Sequence, residues 1–177
     1  MGRPSTKDEL TAFGKKIQTQ IDKLKGKPYV EMGFPEEQFG TQQKPPPGQT
    51  PTGTLTVGQI AVINEFGTDD DHVPERSFLR STFDVMKPKW LRLTDKYRNA
   101  IMEGKMTVMK ALELIGLVQV SDVRLKVKAR IPPPNAPSTI KQKTVNGKIG
   151  DVPLIDSGQM INETLTHKVI PERKAEE

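Results

Sequence analysis

Residues 106–128 read MTVMKALELIGLVQVSDVRLKVK, and this stretch decides the fold. Met109, Leu112, Ile115, Val118, Val120 and Val123 recur along it at helical spacing, which predicts the longest helix of the chain. Gly116 lies inside it. A glycine there costs about 1 kcal/mol against alanine in an exposed helix, and close packing against another element makes it tolerable. The closing VRLKVKAR places cations where the helix dipole favours them. IPPPNAPST, 131–139, then breaks any helix.

Toward the N-terminus, Trp90, Leu93, Tyr97 and Ile101 predict another helix. Pro88 is expected to start it, since proline suits the first helical position. Phe78, Leu79 and Phe83 give a short apolar face ahead of it. Ile60, Ile63 and Phe66 predict a short helix with Gly67 as its stop. Residues 6–25 read as an amphipathic helix, with a capping-box pattern in Thr6 and Glu9 and an apolar face of Leu10, Phe13, Ile17, Ile21 and Leu24.

Three stretches favour strands: PYVEMGF (28–34), TLTV (54–57) and ETLTHKVI (163–170). In the last, Leu165, His167 and Val169 share one face. The expected fold class is α+β: a small antiparallel or mixed sheet of three to four strands packed against the long helix, with extended proline-rich loops. One domain spans 1–177. Residues 36–53 carry the triplet Pro45, Pro46 and Pro47, which cannot sit in a central strand. They read either as a projecting arm or as a disordered loop. The charged tail, 171–177, is expected to fray.

Composition limits the chemistry. The chain has no cysteine and two histidines, His72 and His167, far apart in sequence. Thiolate chemistry and disulfides are excluded, and neither a metal centre nor a cofactor is expected. Phosphate-cradling and nucleophile-elbow motifs are absent from the sequence, so an enzyme is not expected. No apolar run reaches the roughly 20 residues of a membrane span. The start, MGRPSTKDEL, has no apolar stretch like that of a signal peptide; synthesis in the host cytoplasm and no membrane partner are the expectations.

Charge is unevenly placed. Residues 29–75 carry a net −7 and residues 76–148 a net +11. Either complementary faces of adjacent subunits meet, or the charge is simply spread over solvated surface. Asp69, Asp70 and Asp71 lack calcium-loop spacing and read as a solvated turn. Arg76 and Arg80 lie four apart and are expected to share a helical face. They pair either with acids of the next subunit, for instance Asp69–Asp71, or locally with Glu75 or Asp84. Phe66 and Gly67 are expected to bury an aromatic and turn the chain, and Pro74 to shape the next turn. Asp156 or Ser157, followed by Gly158, is expected to cap a short helical turn. The basic residues from Arg124 to Lys148 raise nucleic-acid binding, but no aromatics stand among them for stacking.

Three stretches taken in order carry a resemblance: VGQIAVINEFGT (57–68), VPERSFLRSTFD (73–84), and IPPPNAPSTIKQK with PLIDSGQMINETLTHKV (131–143 and 153–169). They resemble the neck, tail-completion or virion-morphogenesis proteins of long-tailed double-stranded DNA phages. Relatives there carry an apolar-EFGT turn, a PxRPF turn and a PL-apolar-DTGxL turn. This chain departs mildly, with Ser77 and Ser81 for prolines, Ser157 for threonine and Met160 for leucine. The resemblance spans about residues 55–170. It implies a non-enzymatic virion protein forming a sixfold or twelvefold homo-oligomeric ring at the head–tail junction. Its partners would be other neck, connector or tail-tube proteins, with non-specific contact to passing DNA. A tail terminator capping the tail tube is the alternative, and a cytoplasmic nucleic-acid-binding protein is the second.

Overall fold

A computed structural model describes residues 6–44, 55–70, 72–145 and 150–172. The elements are α1 (Thr6–Lys25), β1 (Tyr29–Gly33), α2 (Glu36–Phe39), α3 (Val57–Phe66), α4 (Leu79–Met102), α5 (Val108–Lys128), α6 (Pro137–Val145), a π-helix (Gln159–Thr164) and β2 (Thr166–Ile170). The described chain is mostly helical, and its one sheet is an antiparallel pair, β1 with β2. Among the described residues the expected α+β sheet of three to four strands does not form.

The missing strand has a local cause. Thr56 makes only a single antiparallel bridge with Gln42. Its hydroxyl accepts from the Gln59 amide while the Gln59 side chain accepts from the Thr56 amide. This reciprocal capping box starts α3 at Val57, so the TLTV stretch ends in a helix start. ETLTHKVI is also divided: its first two residues close the π-helix, and only Thr166–Ile170 is strand.

The helix expected at 106–128 is α5, capped by Thr107 through the Lys110 amide, but it is not the longest: it has 21 residues and α4 has 24, because α4 runs on through Pro88. Pro88 does not start a helix. It lies inside α4, which already begins at Leu79. The reason is a cap built from elsewhere in the chain, described below.

The chain divides into two compact units. One comprises residues 1–31, 88–116 and 168–177. In it, Trp90 of α4 and Val108, Ala111 and Ile115 of α5 are buried. The Gln20 side chain of α1 accepts from the Val108 amide at 3.1 Å. Ile21 and Leu24, expected on the packed face of α1, are exposed.

The other unit comprises residues 32–87 and 117–167. Val57 and Ala61 of α3, Phe78, then Val120, Val123 and Val127 of α5, and Met160, Ile161 and Leu165 form one apolar core. Phe34 meets Phe78 edge-on, ring centroids 6.3 Å apart, a favoured aromatic geometry. The π-helix has a wide turn, with the Leu165 amide donating to the Met160 carbonyl. Arg124 reaches from α5 to donate to the carbonyls of Ile161, Asn162 and Leu165 at 3.0–3.1 Å. Those carbonyls are the orphans that a helix end leaves behind. Sequence boundaries of the units in α4 and α5 fall at Pro88 and after Gly116, the two helix-weakening residues.

Candidate functional site

Glu65 is the residue around which the second unit is tied together. It ends α3 one turn from the core and is only 3% exposed. One carboxylate oxygen accepts from the Ser77 hydroxyl at 2.8 Å, the Arg80 amide at 2.9 Å and Arg80 Nε at 3.0 Å. The other accepts from the amides of Phe78 and Leu79 at 2.7 and 2.9 Å. Three amides at the start of α4 therefore share one remote carboxylate. Such anion placement also suits the helix dipole. Burial pushes the Glu65 carboxyl up, but these donors, Leu79 and Arg80 foremost, outweigh it and hold the carboxyl below its ordinary 4.5.

This cap explains why α4 begins ahead of Pro88. It also links the NEFGT turn to the PERSFLR turn. Arg80 completes the link: it donates to the Glu65 carbonyl and to Glu75, both within 2.8 Å, and stacks 4.3 Å above the Phe66 ring. Phe66 is thus 60% exposed and serves as a platform, where burial was expected. Gly67, with φ +76°, closes α3 as expected.

Arg76 lies before α4, so it does not share a helical face with Arg80. It is 7% exposed, and its Nε and Nη2 donate to the carbonyls of Pro133 and Pro134 at 2.8 and 3.1 Å. Burial lowers its guanidinium from the ordinary value. Lys143 of α6, also buried, donates to the carbonyls of Val152 and Ile155. Gln159 donates to the Gln42 carbonyl and accepts from the Lys44 amide, while Lys44 pairs with Glu163. The IPPP turn is thereby bound to the second motif, and the PLIDSG turn to α6 and to residues 42–44.

These turns surround an open cleft of about 540 Å³. Asn64, Pro74, Arg76, Pro133, Asn135 and Asp156 are among its walls. Asp156 is exposed; the cap position of the π-helix is Gly158, with φ +82°, and of the two expected caps it is Ser157 whose hydroxyl accepts from the Gln159 amide, at 3.3 Å. Asp69 and Asp70 form an exposed turn in which Asp70 accepts from the Thr68 hydroxyl and the His72 amide. Those two bonds, the hydroxyl first, hold the Asp70 carboxyl below the ordinary range. Asp71 and Pro45, Pro46 and Pro47 lie outside the described residues. Among the described residues no acid or histidine cluster could hold a metal ion, and no helix is long and apolar enough to cross a membrane.

Sequence reasoning missed Glu65, Lys143 and Gln159. A signal existed for Glu65: the one charged residue of its helix, ahead of SFLR, a helix start whose amides need an acceptor. No described protein family, curated protein or solved structure matches the chain.

Proposed function

We propose that this chain is a structural subunit of a phage particle, assembling as a ring at the head–tail junction. One observation carries the reading. The three stretches that resemble the phage neck and tail-completion proteins, spread over more than a hundred residues, are hydrogen-bonded into one scaffold through Glu65, Arg76 and Lys143. Their shared order then has a physical basis, since each turn supplies what another lacks. The Glu65 carboxylate serves the amides of the second turn. The carbonyls of the third hold the buried cation of the second.

The nucleic-acid reading is weakened by the same bonds. Of the cations between Arg124 and Lys148, Arg124 and Lys143 are committed to carbonyls and Arg130 pairs with Asp151 at 2.7 Å. Fewer remain for phosphates.

Deleting the gene from its phage tests the reading. Full heads and separate tails of normal length are expected. Overlong tails would indicate a terminator, and joined infectious particles would overturn the proposal.

A further inference from the structure

Arg76 has five guanidinium N–H donors, and two of them are engaged. The residue is more than nine-tenths buried, and no described carboxylate pairs with it. A buried cation without an anion is costly, and an anion reaching it would relieve that cost. Gln119 Oε1 is the sole fully enclosed side-chain polar atom without a partner among the described residues. Nη1 of Arg76, which has no partner among the described residues, is therefore not fully enclosed, and the residue lines the open cleft. The Pro133 and Pro134 carbonyls fix the guanidinium plane, so it is pre-organised for two parallel bonds to a carboxylate.

We propose that this cleft is the socket for a carboxylate side chain of a second copy of the chain. The inference rests on the ring reading and names its contact. Charge supports this occupant. The 29–75 segment has a net charge of −7, and its Glu36 and Asp69 are exposed and make no ion pair among the described residues. The walls of the socket carry Arg76 beside Asn64, Pro133, Asn135 and Thr139, and of its charged residues Lys143 is committed to carbonyls and Asp156 is the one acid. An exposed acid of one copy meeting Arg76 on the next is a head-to-tail contact. Repeated, such contacts close a ring.

Sedimentation of the full chain over a range of concentrations tests this at low salt. Self-association is expected. Arg76→Gln should weaken it by at least about tenfold, as losing a central Arg anchor does. Because Arg76 also braces the turns, a second variant leaves it in place: Thr139→Glu sets a carboxylate on the cleft wall and should weaken association comparably. The double variant Glu36→Lys with Asp69→Lys should fail in the same way. Mixed with Arg76→Gln, it should give heterodimers and nothing larger, because only one sound socket and one sound acid surface can meet.

Wild-type association by both folded cleft variants would overturn the socket and leave the ring reading standing. A wild-type chain that stays monomeric at every concentration would overturn the second copy as occupant, whatever particle deletion shows. Duplex DNA binding that Arg76→Gln abolishes would assign the socket to phosphate and overturn it equally.

Discussion

Replacing Glu65 by glutamine removes the carboxylate while keeping its shape. The glutamine amide must take the place of one oxygen. If it replaces the oxygen facing Phe78 and Leu79, two amides at 2.7 and 2.9 Å lose their acceptor and face a donor. If it replaces the other, the Ser77 hydroxyl, the Arg80 amide and Arg80 Nε are left instead. Either way at least two buried donors go unsatisfied, at about 1–3 kcal/mol each, and the remaining bonds lose their charge assistance. The expected loss is about 3–5 kcal/mol, a large share of the 5–15 kcal/mol that holds a typical domain together. It corresponds to a melting temperature lower by about 6–20 °C in a chain of this size.

Thermal and urea unfolding followed by circular dichroism measure it. Glu75→Gln is the control, since its pairing with Arg80 is solvent-exposed and should be worth under about 1 kcal/mol. The pH profile gives a second readout. The folded Glu65 carboxyl lies below its ordinary 4.5. Its contribution is therefore fully present above that value and lost as pH falls through the lower folded value. The gap between wild type and Glu65→Gln should narrow in that acid window and stay constant above about pH 6. A variant within about 1 kcal/mol of wild type at neutral pH would refute the capping argument.

Two further substitutions probe the backbone. At Gly67, φ is +76° and an added Cβ would lie 2.9 Å from the Glu75 amide nitrogen, so Gly67→Ala should cost about 2–3 kcal/mol in urea unfolding. Pro88 interrupts the hydrogen bonding of α4 at an exposed position, so Pro88→Ala should raise stability by about 1–3 kcal/mol, read from the same melts.

The helices were legible where their signal was periodic. α1, α3 and α5 are local patterns, and the sequence places each within a few residues. Two strands were legible too, β1 within 28–34 and β2 within 163–170; the one expected at 54–57 was not, because Thr56 is a good strand residue and a good cap, and Gln59 at the third position tips the choice. The start of α4 was hidden for a different reason. Its acceptor, Glu65, stands twelve residues before Ser77, beyond any local capping pattern. Phe66 was misread because an aromatic before a glycine suggests burial, whereas the ring here supports the Arg80 guanidinium at the surface.

The two arginines of the PERSFLR turn show what charge counting alone conceals. Both sit in a strongly basic segment, yet they have different surroundings. Arg80 is fully answered at home, by Glu65, Glu75 and the Phe66 ring. Arg76 is held only by neutral carbonyls. Carbonyl oxygens orient a guanidinium without neutralising it, so Arg76 keeps an electrostatic demand that Arg80 does not. Of the two cations expected to pair across a subunit boundary, Arg76 is the one without a carboxylate partner among the described residues, and an exposed-charge count would have favoured Arg80.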